Sequence, residues 1–430
     1  MVVGTIIGAS IFVQPSEVTS QVHSVGGVLL VWFLAGILTL IGSLVCAELA
    51  STFTRTGGVY VYLTEAFHPA LGFLWGWAML LTMHSGIIAA IATVFARYAG
   101  NFVPLASWGS KAVAIAVILV LSAVNYVGVR QGSRLQSLFT AGKMVAVAAI
   151  VTLGFALGGR VPEHFVGSAS GSDSLGGFLL AMAAGLFAYG GWHMVTYSSE
   201  ETVEPAKTIP RALLIGTLVV TATYMAMTAV YLYVMPLDKV AASTRVAADL
   251  ADTLLGSGGA GAVSAIVLFS TFGGLAGIIL AGPRVYYAMA QDGLLFKWFA
   301  ELHPRHGTPH RAIVLQAVWS SLLVATGTFR ALFTRVVYTE WIFFALMAIG
   351  LIVLRRRKGT TREYSIPLYP VAPILFIVSS LAIVVNTLTS NPRDSVIGLG
   401  LVVMGLPIYF LWVKRPQRLP DESYIRHPEP

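Results

Sequence analysis

Apolar runs of about 18 residues or more, the length a helix needs to cross the hydrocarbon core of a bilayer, recur along nearly all of this chain. Such a sequence has little choice of fold. With no water to satisfy backbone N–H and C=O groups, a spanning segment must close its hydrogen bonds internally, as a helix does. Only 11% of the 430 residues are charged and 56% are hydrophobic, whereas a soluble domain carries roughly 25% charged residues. The sequence therefore predicts an all-α integral membrane protein. Apolar runs and polar interruptions place spans near 1–21, 26–53, 69–100, 111–127, 134–158, 176–199, 211–235, 260–290, 312–328, 336–354, 371–390 and 395–413. That is twelve transmembrane helices, the first of them truncated.

Basic residues set the orientation. With the N-terminus in the cytoplasm, 18 Lys and Arg fall on the cytoplasmic side and 8 on the outer side, the bias of the positive-inside rule. Arg130, Arg134, Lys207, Arg211, the run Arg355-Arg356-Arg357-Lys358 and Lys414-Arg415 are all on the inner side. The net charge of +8 is thus a topology signal with contact to anionic lipid, and no nucleic-acid partner is expected. The single cysteine, Cys46, excludes an internal disulfide framework and reads as a buried small hydrophobe.

Two glycine-broken stretches interrupt spans at matching places: Gly4-Thr5-Ile6-Ile7-Gly8-Ala9-Ser10 in the first and Phe187-Ala188-Tyr189-Gly190-Gly191-Trp192 in the sixth. Glycine is a poor helix former, so each span is expected to unwind there and expose backbone groups that lipid cannot satisfy. Interrupted spans in corresponding halves point to a transporter's substrate site. Helices 1–5 and 6–10 make two five-helix groups, and an odd number per group turns the second upside down, an inverted repeat. One transmembrane domain is expected over 1–430: repeat one about 1–158, repeat two about 176–354, helices 11 and 12 about 371–413, and a cytoplasmic tail 414–430. The run Val246 to Leu255 reads as a helix over the outer mouth, and the Gly/Ser-rich stretch 167–177 as a flexible outer loop.

The polarity of the breaks suggests a ligand. A half-helix beginning near Ser10 presents free N–H groups and a positive dipole end, suited to a carboxylate. Unwinding at Ala188 to Gly191 frees carbonyls of the preceding half-helix, suited to an ammonium group. One site offering both suits a zwitterion, and an α-amino acid is the obvious candidate. The competing explanation is that these glycines only permit close helix packing.

These motifs also carry a resemblance. Gly4-Thr5-Ile6-Ile7-Gly8-Ala9-Ser10-Ile11-Phe12 resembles the first-helix motif of the amino acid–polyamine–organocation superfamily. Phe187-Ala188-Tyr189-Gly190-Gly191-Trp192, followed by Glu200-Glu201, resembles the sixth helix of its L-type amino acid transporter branch. Glu204-Pro205-Ala206-Lys207-Thr208-Ile209-Pro210-Arg211 is similar to that branch's cytoplasmic loop. Phe272-Gly273-Gly274-Leu275, then Arg284 and Tyr287-Ala288-Met289-Ala290-Gln291-Asp292-Gly293, is similar to its eighth helix and exit loop. The resemblance implies a leucine-transporter-type fold, two inverted five-helix repeats plus two extra helices, working by alternating access. It implies that the substrate carboxylate meets the N–H groups of Ala9 and Ser10, and the amino group the carbonyls of Ile6, Phe187 and Gly190. Gly4, Gly8, Gly190 and Gly191 are then the broken-helix glycines. Phe187 closes over the substrate as an outer gate, helix packing being the blander reading of its ring.

The chain departs from that pattern in places. Ser10 stands where glycine is usual, which narrows the pocket or adds a hydroxyl, and Ala276 replaces a common asparagine. The outer loop 101–110 lacks the cysteine by which some relatives hold a single-span subunit, so no disulfide-linked heavy chain is expected. Only Met1, Val2 and Val3 precede the first break, where a half-helix of about 10 residues, roughly 15 Å long, is expected. On this reading the true start lies upstream, or the chain is a fragment.

Lys143 lies well inside an apolar span, where a charged lysine must face the protein interior and find a partner or snorkel to the cytoplasmic surface. By the resemblance it stands where related transporters bind sodium, bridging first-helix carbonyls near Gly4 and eighth-helix hydroxyls of Ser270 or Thr271. Burial also leaves proton carriage by Lys143 open. His84 and His193 read as packing histidines before substrate contacts, and neither has a partner at metal-ligand spacing. Glu48, Glu200 and Glu201 read as structural or inner-gate carboxylates paired with Arg55 or Arg211.

The expected function is sodium-independent exchange of small or medium neutral L-amino acids. Neutral substrates are favoured because the motif cradles only α-amino and carboxylate groups, and because no acidic residue lies beside either break in the sequence. The alternatives are a proton-coupled amino acid or amine symporter using Lys143, and a non-transporting membrane amino-acid sensor. With no nucleophile motif or phosphate loop, an enzyme is not expected, nor any cofactor or metal. The expected location is a plasma membrane, the bacterial inner membrane, with both termini cytoplasmic.

Overall fold

A computed structural model describes residues 2–128, 132–159, 174–256, 258–357 and 363–412. The expected tail at 414–430, and 167–173 of the stretch read as an outer loop, lie outside them. Every element among the described residues is helical. Among the described residues, nine helical segments are long and apolar enough to cross a membrane: Val25–Thr52, Pro69–Ala99, Ser107–Val127, Leu138–Leu157, Leu175–Glu201, Pro205–Val234, Gly259–Gln291, Phe329–Arg356 and Val371–Ser390.

The expected first span is in pieces: α1 (Val2–Ile6), a single 3-10 turn at Ser10–Phe12, and α2 (Gln14–Thr19). An uninterrupted helix follows, α3 (Val25–Thr52), whose N-cap Ser24 accepts the N–H of Gly27 at 3.3 Å. After α4 (Val59–Ala66), the third expected span divides into α5 (Pro69–Leu81) and α6 (His84–Ala99). The helical pattern slips at Thr82 and Met83, where both N–H groups reach Ala78 O. Then come α7 (Ser107–Val127) and α8 (Gly132–Leu157).

The second glycine break ends α9 (Leu175–Ala188), capped by Ser174 Oγ on the N–H of Gly177. Residues 175–177, read as loop, are thus its first turn. A 3-10 stretch, Trp192–Glu201, continues the span. The remaining helices are α10 (Pro205–Val234), the short α11 (Leu237–Ala242), α12 (Val246–Leu255), α13 (Gly259–Gln291), α14 (His310–Thr326), α15 (Phe329–Arg356), α16 (Val371–Ser390), and the pair α17 (Pro392–Val403) and α18 (Gly405–Trp412). Prolines at the first turns of α5, α10 and α17 cost no hydrogen bond there, since those N–H groups have no intrahelical acceptor.

The broken α1 sits at the centre, against α8, α10, α13 and the Trp192–Glu201 stretch. Around it, α10 lies along α3 and α15 packs on α16 and α6. Glycine makes the closest approach possible: a Cβ on Gly4 would collide with Thr140 Oγ1 of α8, so a larger residue would force that side chain or its helix to shift. The free Cys46 is buried in α3.

An ion pair with a buried carboxylate anchors the C-terminal ends of α3 and α15. Glu48, 1% exposed, accepts from Arg355 Nε at 2.6 Å and from the N–H of Ile366 at 2.7 Å. The Arg355 guanidinium lies 3.8 Å over the Tyr369 ring. The expected partners of Glu48, Arg55 and Arg211, are therefore wrong. Arg355 wins because it ends a neighbouring helix and offers a two-pronged donor face to a carboxylate. Because the carboxylate is buried and the guanidinium is only partly so, Glu48→Ala should cost about 1.5–3 kcal/mol, the range of a hydrogen bond to a charged group. A lower melting temperature of the detergent-solubilised protein tests this, and an unchanged one would show the pair carries no stability.

Candidate functional site

Helix α1 stops because its hydrogen bonding stops. Ile7 N–H still reaches Val3 O at 2.9 Å, but among the described residues the N–H groups of Gly8, Ala9, Ser10 and Ile11 donate to no carbonyl. The chain regains a turn only when Phe12 N–H bonds Ala9 O at 3.1 Å. Four consecutive N–H groups are thus left open in a buried segment, Ala9 being fully buried and Ser10 7% exposed.

The carbonyls of the same segment are served by side chains. Lys143, 2% exposed, donates through Nζ to Gly4 O and Ile7 O, each at 2.7 Å. Tyr224 donates to Ile6 O at 2.9 Å and lies 3.0 Å from Ala188 O at the other break. Tyr98 serves Phe12 O at 2.7 Å, and Tyr231 reaches Ile11 O at 3.4 Å. Lys143 therefore does not snorkel but crosses to the first break. The hydroxyls of Ser270 and Thr271 on α13, named as its further partners, are buried and accept nothing from it. Two short bonds to carbonyls at the break occupy two of the three N–H donors of the ammonium.

At the second break Gly190 N–H folds back to Phe187 O at 3.1 Å, and Gly191 adopts φ 99°, open to glycine at little cost. A Cβ on Gly191 would lie 3.0 Å from Thr5 O, so the two breaks touch. Among the described residues the carbonyls of Tyr189 and Gly190 accept no hydrogen bond. Of the three carbonyls expected to meet an amino group, Gly190 O is therefore open, whereas Ile6 O and Phe187 O already hold one donor each. A carbonyl has a second lone pair, so neither is closed to another.

A small cavity lies between the breaks, lined by Thr5, Ile6, Gly8, Ser10, Phe187, Gly190 and Gly191, with Ile87, Ile91, Met194, Ile278 and Glu340 from other walls. Its free volume is about 20 Å³, room for a water molecule and less than an amino acid needs. Phe187 packs on Phe333 at 5.5 Å and Phe329 at 6.4 Å between ring centroids, and the Arg97 guanidinium lies 5.2 Å over the Phe329 ring. Beside them Arg330 Nε donates to Glu17 at 3.1 Å.

The opposite end of the bundle is closed by charges. Asp292 accepts from Tyr60 at 2.6 Å and from Arg55 at 3.3 Å, Arg284 grips Glu201 at 3.0 and 3.1 Å, and Thr56 N–H donates to Glu200 at 3.2 Å. Burial, reinforced by the Asp292 carboxylate, holds the Tyr60 phenol well above its usual pKa, so it stays a donor. Glu201 thus pairs with Arg284, and Glu200 with a backbone N–H, not with Arg55 or Arg211.

The histidines are packing residues. His84 donates from Nε2 to Ile278 O at 2.7 Å, the carbonyl being able only to accept. The His193 ring is boxed by Trp75, Trp192, Tyr197 and Phe344 at 5.0–5.8 Å. Sequence reasoning missed Tyr224, Tyr98 and Tyr231: Tyr224 lies well inside its span, but Tyr98 and Tyr231 fall in the last turns of Pro69–Ala99 and Pro205–Val234, where interfacial tyrosines are usual and carry no signal. It also missed Glu340. No acid lies beside a break in the sequence, yet the fold brings one into the same cavity from α15.

Residues 1–412 match the amino acid permease family. The serine/threonine exchanger SteT of Bacillus subtilis (strain 168) is 33% identical over 96% of this chain and 95% of its own length. The human b(0,+)-type amino acid transporter 1 is 34% identical over 96% of this chain and 86% of its own. The human large neutral amino acids transporter small subunit 2 is 32% identical over 98% and 81%.

Tyr224→Phe removes the hydroxyl between the breaks while keeping the ring. It should destabilise the protein by about 1–3 kcal/mol, the cost of stranding a buried acceptor, read as a fall in melting temperature. A variant as stable as the parent would show that the bridge does not hold the breaks.

Proposed function

The chain belongs to the amino acid permease family, a family of transporters and not enzymes, and from that premise we propose sodium-independent exchange of small or medium neutral L-amino acids by alternating access. The observation that carries this reading is the cavity between two touching helix breaks. Open N–H groups at Gly8 to Ile11 face the needs of a carboxylate, and open carbonyls at Tyr189 and Gly190 those of an ammonium. The substrate carboxylate would sit on Ala9 and Ser10, and the amino group on Gly190, with Ile6 and Phe187 adding second lone pairs.

The nine long spans, the broken first segment, His310–Thr326 and the pair over 392–412 support twelve helices in two inverted repeats of a leucine-transporter-type fold. In this reading the Phe187, Phe329 and Phe333 cluster is the outer gate and the Asp292 network the cytoplasmic one. With both shut, the small cavity belongs to a closed intermediate that must widen to take substrate.

Sodium independence follows from Lys143. In broken-helix transporters unwound carbonyls hold the coupling ion, and here an ammonium occupies two of them, Gly4 O and Ile7 O. No disulfide-linked heavy chain is required, since the loop 101–110 contains no cysteine. The protein would work in a plasma membrane, the bacterial inner one, with both termini cytoplasmic.

Purified protein in liposomes tests the whole reading. Uptake of labelled amino acid should require unlabelled amino acid inside and be the same in sodium and choline buffers. Uptake into empty vesicles driven by a pH gradient would instead establish proton coupling, and binding without flux a sensor. Lys143→Ala should insert normally yet lose at least about tenfold in exchange, the loss expected when one charge-assisted hydrogen bond goes. Unimpaired exchange by that variant would remove Lys143 from the mechanism.

A further inference from the structure

Glu340 takes part in none of the interactions above. It lies within α15, 5% exposed, and forms no hydrogen bond or ion pair with any described residue. It nevertheless lines the cavity between the two breaks. The side chains around it there are mostly apolar: Ile87, Ile91, Phe187, Met194 and Ile278. A carboxyl group walled in this way is costly unless something hydrogen-bonds to it, and ionisable residues inside a membrane domain mark substrate paths when no structural partner holds them. Glu48, the other buried carboxylate among the described residues, shows the structural alternative, with Arg355 and a backbone N–H both bonded to it.

The cavity is therefore polarised in a second sense. Its backbone groups come from the breaks and can recognise only what all α-amino acids share. Glu340 comes from a different helix and supplies the one ionisable side chain in the lining. We propose that Glu340 is a specificity-determining residue that accepts a hydrogen bond from the substrate side chain, so that the site selects small amino acids bearing a hydroxyl or amino group. This rests on the transport reading above; it narrows the neutral class to hydroxyl-bearing members and extends it to short side chains that carry an ammonium group. The hydroxyl preference does not depend on the protonation state, because a carboxylate and a carboxylic acid can both accept; the ammonium preference calls for the charged carboxylate.

The test compares near-isosteric substrates in liposomes: threonine against valine, and 2,3-diaminopropionate against 2-aminobutyrate. The wild type should prefer the donor-bearing member of each pair by about tenfold or more, the range of a hydrogen bond to a charged group or of a polar site left unpaired. Glu340→Leu should bring both preferences close to unity while still exchanging alanine. Glu340→Gln should keep the hydroxyl preference, through its amide oxygen, and lose that for the ammonium group.

Three results would overturn the proposal: no preference in the wild type, a preference that survives in Glu340→Leu, or an equal loss of every substrate including alanine in a monodisperse variant. The last would place Glu340 on the α-amino group. If the wild type takes up no amino acid, the transport reading fails by itself. Thermal-shift binding of the same four compounds to purified protein then decides the role of Glu340, with equal shifts within each pair counting against it.

Discussion

A helix unwound inside a membrane must find donors for the carbonyls it releases, and in this protein side chains from three surrounding helices provide them. Lys143 takes Gly4 and Ile7, Tyr224 takes Ile6, Tyr231 reaches Ile11 and Tyr98 takes Phe12. Lipid offers no substitute, since an unsatisfied backbone group there costs several kcal/mol. The position of α1, the approach of α8 at Gly4 and the placement of α10 all follow from delivering those donors. Remove them and the break has no reason to persist.

The same arrangement leaves the N–H side unserved. The carbonyls of Gly4, Ile6, Ile7, Ala9, Ile11 and Phe12 each accept a hydrogen bond from the protein, while the N–H groups of Gly8 to Ile11 donate none among the described residues. This one-sidedness turns a structural defect into a recognition surface: the chain satisfies its own acceptors and leaves its donors for an anion. Ser10 lines the cavity where glycine is usual in the resembled motif.

Much of this was legible before any coordinates. Long apolar runs must become helices, and clustered glycines in two of them mark where helicity fails, so the spans and both breaks could be placed. Lys143 announced itself because a lone cation in an apolar run needs an interior partner. What stayed hidden depends on which distant residues the fold juxtaposes. Glu48 could have met any of several arginines, and only the meeting of α3 and α15 chooses Arg355. Glu340 is far from both breaks along the chain and meets them only across the cavity, a proximity that no local pattern encodes. The division of the third span at Thr82 and Met83 carries neither glycine nor proline at the break, so no local signal exists for it.

Tyr224 has one proton and two carbonyls within reach, Ile6 O at 2.9 Å and Ala188 O at 3.0 Å. A single hydroxyl hydrogen cannot serve both fully at once. At any instant one strand of the pair is left short of a donor, and the shortage can pass from one break to the other by rotation about the phenol C–O bond. The two unwound segments are thus electrically joined through a movable proton. A cation arriving at either one would fix the direction of that hydroxyl and be felt at both.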